Sequence, residues 1–317
     1  MIARIGRLLA DWLLSVVEPI VPNHRWLVRS RGRLLVENGE VERAILYLHR
    51  QLQQRPDDPW LHFHAGRAAE AQDLFRQARG RFAHAAALAP EEPTFRYALG
   101  LSLHREGHLA AAVREFRYAL DSLPDDPRVL FNLAQAEQAR GYLAEAAGLL
   151  LRVTEIWPSH GRVHYQAGLC ARDRGLLTDA EASLVQAIEC DADLLRARYV
   201  LAHLRAERGE RSRALRDLAE VLKRQEDYGP AHYALGRLLV ADAPAKAQFH
   251  FHEALLGQPP VIRAHLDLGR LLEDCGRLRR ARAEYVLFAR HFPDERPAWI
   301  EARLAWLDAE LTAEAAS

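Results

Sequence analysis

The strongest constraint on this chain is that it repeats itself. The stretch ALGLSLHREGHLAAAVREFRYALDSLPDDP at 98 to 127 matches segments displaced by 34 residues on either side. With units starting at 25, 59, 93, 127, 161, 195, 229 and 262, the eighth place is always tiny: Gly32, Gly66, Gly100, Ala134, Gly168, Ala202, Gly236 and Gly269. Allowing one deletion in the seventh unit, the twentieth place is alanine throughout: Ala44, Ala78, Ala112, Ala146, Ala180, Ala214, Ala247 and Ala281. A unit this short cannot bury its own apolar face and must stack on its neighbours. The 317 residues therefore read as one array of units rather than two ordinary domains.

Each unit carries two stretches with helical apolar spacing and a breaker between them. Tyr97, Leu99 and Leu103 precede Gly107, and Val113, Phe116 and Leu120 follow it. Glycine takes the left-handed conformation that ends a helix, which accounts for Gly39, Gly107, Gly141, Gly175, Gly209 and Gly276. Pro56, Pro90, Pro124, Pro158, Pro259 and Pro293 lack the N–H a helix needs to continue, so each second helix stops there. The small places are expected where the two helix backbones approach closely, with Phe82, Phe116, Phe251 or Tyr285 filling the volume alongside. Leucine at Ala112 would overpack such a contact and cost about 1–3 kcal/mol. Cys170, Cys190 and Cys275 lack CxxC spacing and are read as small core residues.

These residues resemble the tetratricopeptide repeat family, whose signature is a large residue, Leu-Gly, alanine, an aromatic and a closing proline within one repeat. The resemblance covers residues 25 to 295. It implies an all-α fold: a right-handed α-solenoid of helix-turn-helix hairpins with amino- and carboxyl-terminal capping helices. Residues 1 to 24 form an amphipathic helix and linker in this reading, and residues 296 to 317 a carboxyl-terminal cap and tail bearing Trp299, Leu304 and Trp306. The sequence departs from the signature at the fourth place, which is rarely tryptophan, at Ala192 and Glu226, where proline is usual, and in VADAPAK at 240 to 246.

The resemblance also implies a groove lined by first helices, into which the fifth, second and ninth places face. The fifth place presents Phe63, Tyr97, Phe131, Tyr165, Tyr199 and Tyr233 in successive units. Such rings suit a gripped segment, and they equally suit packing between neighbouring first helices. The second place holds Arg128, Arg162, Arg196 and Arg263; the ninth holds Arg33, Arg67, Arg237 and Arg270. Guanidinium forks among rings fit a protein partner with an extended or helical segment that mixes acidic and apolar residues. The other reading is a solvated face neutralised by Glu70, Asp173, Glu207, Glu273 and Asp274. The subclass that clamps chaperone tails uses asparagine at set groove positions. Only Asn132 matches, which disfavours that role.

HFHEAL at 250 to 255 looks at first like a metal motif. The repeat places Phe251 in the core slot of Phe116. His250 and His252, two residues apart, then point to different helix faces and are read as solvated histidines that cannot share an ion. His62, His164, His232 and His265 recur at the fourth place and are read as packing residues. There is no GxSxG, GxxxxGK[ST] or HExxH. Glu91, Glu92, Asp125 and Asp126 sit beside prolines and read as turn residues and helix caps. No catalytic residue, metal or cofactor is expected.

Zero formal charge and a pI near 7.3 argue against a nucleic-acid partner held by broad phosphate neutralisation. Ile2, Ile5, Leu9, Trp12, Leu13, Val16 and Ile20 share one side of a helix that begins with Arg4 and Arg7. That helix either caps the first unit or docks on a membrane or membrane complex. The expected function is a non-catalytic adaptor or assembly scaffold in the cytoplasm. The alternative is an assembly factor peripheral to the inner membrane through residues 1 to 20.

Overall fold

The computed structural model describes residues 25–291 and 298–316. Among them lie 17 helices and no strand. Arg4, Arg7, Trp12 and the rest of the amphipathic segment fall outside the described residues, as does Pro293. Contacts divide the chain into two compact units at Ser159 and His160.

The amino-terminal unit contains four helical hairpins: α1 (Arg25–Glu37) with α2 (Val41–Gln54), α3 (Pro59–Glu70) with α4 (Phe75–Leu88), α5 (Pro93–Arg105) with α6 (Leu109–Ser122), and α7 (Pro127–Ala139) with α8 (Leu143–Ile156). Three first helices open on a proline whose missing N–H costs nothing at that position. The residue before each proline caps the helix. Asp58 accepts from the Trp60 and Leu61 amides, Glu92 from Thr94, and Asp126 from Arg128. Gly39, Gly107 and Gly141 turn the chain between helices with φ of 80°, 80° and 87°. In the second hairpin Asp73 takes that conformation instead, at φ 58°. Aspartate tolerates the left-handed region better than most residues.

The carboxyl-terminal unit contains α9 (Gly161–Asp173) with α10 (Leu177–Cys190), α11 (Leu195–Glu207) with α12 (Arg211–Arg224), α13 (Gly229–Leu239) with α14 (Pro244–Leu256), and α15 (Ala264–Asp274) with α16 (Leu278–His291), followed by α17 (Ala298–Ala316). The hairpin containing VADAPAK has no positive-φ residue at its turn, and Pro244 starts its second helix. Its end is closed by backbone on backbone. A Cβ on Gly257 would lie 2.6 Å from Gly229 Cα, and one on Gly229 would lie 2.3 Å from the Pro259 carbonyl oxygen.

The tiny eighth place meets a ring in four hairpins and a leucine, Leu48 or Leu184, at Gly32 and Gly168. A Cβ on Gly66, Gly100 or Gly236 would come within 2.6 Å of Phe82, Phe116 or Phe251, and one on Gly269 within 2.7 Å of Tyr285. Glycine is thus the seat of the aromatic from the second helix. Alanines 44, 78, 112, 146, 180, 214, 247 and 281 are all fully buried.

One sequence expectation needs correction. Of the cysteines only Cys170 is buried; Cys190 ends α10 and Cys275 follows α15, both on exposed helix ends. In α17 the buried residues are Ile300 and Leu307, spaced two turns apart, with Leu304 half-buried between them. Trp299 and Trp306 stay 43% and 41% exposed, because they lie along the other side of the helix under arginines. Among the described residues no helix is long and apolar enough to cross a membrane.

Candidate functional site

The fourth place of the first helices has a structural task that the spacing alone did not reveal. His62 Nε2 lies 2.7 Å from the Pro56 carbonyl and His232 Nε2 2.8 Å from that of Glu226, so each donates to the turn behind it. Arg96 does the same to Pro90 at 3.3 Å. The same place also reaches across to the second helix, where Arg96 pairs with Glu115 at 2.9 Å, His265 with Glu284 at 2.6 Å, and His232 with His250, Nδ1 to Nδ1, at 3.0 Å. His250 is therefore half-buried against His232 rather than solvated. Among the described residues no three His, Cys, Asp or Glu side chains converge to hold an ion.

One helical step further, the fifth-place rings are partly withdrawn from solvent. Phe63 is buried among Trp60, Phe82 and Phe95, with centroids 5.8, 5.8 and 5.4 Å away, and offers a partner nothing. Tyr97 and Tyr233 pack their rings on Phe116 and Phe251, and Tyr199 packs edge-on to Tyr228 at 5.8 Å. Phe131 and Tyr165 are half-buried. Packing between helices and exposure of one edge thus coexist. Burial raises the phenol pKa of Tyr97, Tyr199 and Tyr233, and the Asp267 carboxylate raises that of Tyr233 further. All three remain protonated hydrogen-bond donors at neutral pH.

The hydroxyls differ in what they touch. Asn132 Nδ2 donates to Tyr97 at 3.0 Å, and Tyr233 donates to Asp267 at 2.6 Å. Asn132 and Asp267 both occupy the sixth place of the next first helix. Val200 and Ala234 stand there for Tyr165 and Tyr199. Neither of those two hydroxyls has a hydrogen-bond partner among the described residues.

The arginines separate into two groups. Arg128 chelates Asp126 at 3.1 and 2.6 Å, and Arg33 lies 3.9 Å from Glu37. Arg270 lies 3.5 Å from Asp267 and 5.6 Å from the Trp299 ring. Arg67, Arg162, Arg196, Arg237 and Arg263 have no carboxylate partner among the described residues, and all five are exposed. Of these, Arg196, Arg237 and Arg263 act electrostatically on Tyr228, Tyr199 and Tyr233, so rings and cations occupy one neighbourhood of the carboxyl-terminal unit.

Within that neighbourhood lies a cavity of ≈ 350 Å³. Tyr199, Ala202 and Ala206 of α11 form one wall, Tyr233, Ala234 and Arg237 of α13 the other, and Leu218 of α12 its base. His203 and Glu207, 3.2 Å apart, stand at the rim. Arg237 holds its guanidinium 6.0 Å from the Tyr233 ring. Three of the residues expected at the groove, Tyr199, Tyr233 and Arg237, meet here. Of the alanines that create the space, Ala206 and Ala234 passed unremarked in the sequence, because alanine is common at every helix position.

Comparison with known families and structures agrees with this architecture. A profile described as Tetratricopeptide repeat matches residues 60–127 and 131–194. No curated protein matches. The chain is similar to a human IFIT1 dimer with m7Gppp-AAAA (TM-score 0.63, 18% identity), covering 95% of this chain and 76% of that one. It is similar to the APC/C hetero-tetramer Cut9-Hcn1 (TM-score 0.62, 17% identity), covering 83% of this chain and 52% of that one, so it spans about half that relative's length. It is also similar to YrrB, a TPR protein with an unusual peptide-binding site (TM-score 0.52, 21% identity), covering 58% of this chain and 95% of that one. The profile shows tetratricopeptide repeats over residues 60–127 and 131–194, and the repeat period, the glycine-seated aromatics and the stacked hairpins carry the same architecture through the described residues on either side.

Proposed function

We propose that the protein is a non-catalytic interaction scaffold that holds a segment of a partner protein along the first-helix face of its carboxyl-terminal unit. The observation that carries this reading is the set Arg162, Arg196, Arg237 and Arg263, exposed and without carboxylate partners among the described residues. Second and ninth places are two turns apart on one side of a helix, so these cations share a face with the exposed edges of Tyr165, Tyr199 and Tyr233. An extended or helical segment with acidic residues among apolar ones would satisfy both. YrrB, a TPR protein with an unusual peptide-binding site, supports the same class of ligand.

The test is selection of peptides from a random library on the full chain, followed by titration against the Arg162→Glu, Arg196→Glu, Arg263→Glu triple variant. The reading requires acidic consensus sequences that lose at least about tenfold in affinity, roughly 1.4 kcal/mol, while the melting temperature stays put. Basic or purely apolar consensus sequences indifferent to the variant would refute it. Docking through residues 1 to 20 is a second reading carried by their amphipathic spacing alone. Flotation with anionic vesicles that fails equally with and without those residues would remove it.

A further inference from the structure

The carboxyl-terminal unit contains a small motif built twice, complete in one copy and altered in the other. In the complete copy a fifth-place tyrosine and a ninth-place arginine bracket a sixth-place carboxylate: Tyr233 donates to Asp267 at 2.6 Å, and Arg270 lies 3.5 Å from the same side chain. One hairpin earlier the equivalent tyrosine and arginine are Tyr199 and Arg237. The residue between them is Ala234. The Tyr199 hydroxyl has no hydrogen-bond partner and Arg237 no carboxylate among the described residues, and both line the ≈ 350 Å³ cavity.

A second substitution widens the space. Ala206 occupies the twelfth place of its unit, where larger residues such as Glu70, His104, Arg172 and Glu273 stand in other hairpins. Together Ala202, Ala206 and Ala234 leave an apolar wall between a phenol donor and a guanidinium. The opposite rim charge, Glu207, is turned to His203 at 3.2 Å.

We propose that this cavity is a recognition pocket for a carboxylate on a short apolar stem, a glutamate side chain of the partner segment, which takes the place that Asp267 fills between Tyr233 and Arg270. Its oxygens accept from the Tyr199 hydroxyl and the Arg237 guanidinium, and the stem lies on the three alanines. The pocket deepens the scaffold reading and rests on it.

The test uses the full chain with two isosteric probes, 3-phenylpropionate and 3-phenylpropanamide, followed by ligand-observed NMR. The acid is expected to bind at least about tenfold more tightly than the amide, and Tyr199→Phe and Arg237→Gln are expected to erase that preference. Ala234→Asp supplies the carboxylate from within; it should abolish acid binding while the melting temperature holds or rises. Equal binding of acid and amide, no acid binding at millimolar concentration, or an unaffected Ala234→Asp variant would each overturn the pocket. Library-selected peptides that displace the acid tie the pocket to the partner segment. Peptides that bind without displacing it overturn that link and leave the scaffold reading intact. An acid-binding pocket with no selectable peptide would sink the scaffold reading and, with it, the assignment to a partner glutamate.

Discussion

The two units share one backbone plan and differ in how their first helices begin. In the amino-terminal unit the residues preceding three first helices are Asp58, Glu92 and Asp126, and each caps its helix. Neighbouring arginines are spent on the same acids: Arg29 bonds Asp58 at 3.0 and 3.1 Å, and Arg128 chelates Asp126. In the carboxyl-terminal unit the residues at the starts of the first helices are His160, Leu194, Tyr228 and Arg263, and none makes a side-chain cap. The second-place arginines there, Arg162, Arg196 and Arg263, have no carboxylate partner among the described residues. The second unit has ion pairs of its own, Arg205 with Glu181 and Asp217 among them, but it does not spend its second-place guanidiniums on the ends of its first helices. Helix caps cost affinity for anions when they are carboxylates, so a repeat cannot both cap with acid and present that helix end to an acidic partner.

The contrast predicts where acid will hurt. His64 is buried in the amino-terminal unit, and burial first, then Arg67, Arg33 and Arg29, lower its pKa to about 4. The unfolded chain, with a histidine pKa near 6.5, binds the proton that the folded chain refuses. Its contribution to stability is complete above pH ~6.5 and is lost as pH falls toward ~4, on the order of 3 kcal/mol in all. Unfolding curves of the native chain and His64→Leu should therefore diverge in pH dependence within that window and run parallel above it. Parallel curves throughout would show that His64 is not withheld from solvent as its burial implies.

A slightly smaller effect is expected at Asp58. Its replacement by alanine removes the acceptor for two backbone amides and leaves the part-buried Arg29 unpaired. Urea denaturation should register a loss of about 2–3 kcal/mol. The smallest effect runs the other way. His160→Asp gives α9 the acid cap that its counterparts possess, and should stabilise by about 0.5–1 kcal/mol while weakening any acidic peptide bound nearby. A gain in stability with no loss of binding would detach the capping difference from function.

The sequence made the scaffold legible because a repeat reports each contact several times over. The six glycines expected to turn the chain all have positive φ, and Phe251 lies in the core slot that its register assigned. What stayed hidden depends on neighbours distant in sequence. His232 meets His250 across a hairpin, so reading HFHEAL as one helix could not find the partner. The cavity exists because Ala206 and Ala234 face each other across adjacent first helices, and each alone is an ordinary helical alanine. The acids before Pro59, Pro93 and Pro127 were visible, but that second-place Arg162, Arg196 and Arg263 lack the carboxylate that Arg128 finds in Asp126 is apparent only once each guanidinium is followed to its partner. Cys190 and Cys275 were misjudged for a simpler reason: apolar character gives no side to a residue at a helix end.

The central claim, that partner binding belongs to the carboxyl-terminal unit, is tested most directly by charge reversal in both units of the same protein. Library-selected acidic peptides would be titrated by calorimetry against Arg33→Glu with Arg67→Glu, and separately against Arg196→Glu with Arg263→Glu. The account predicts that the first pair leaves affinity within about twofold and the second lowers it at least about tenfold. Equal losses from the two pairs, or a larger loss from the first, would contradict it.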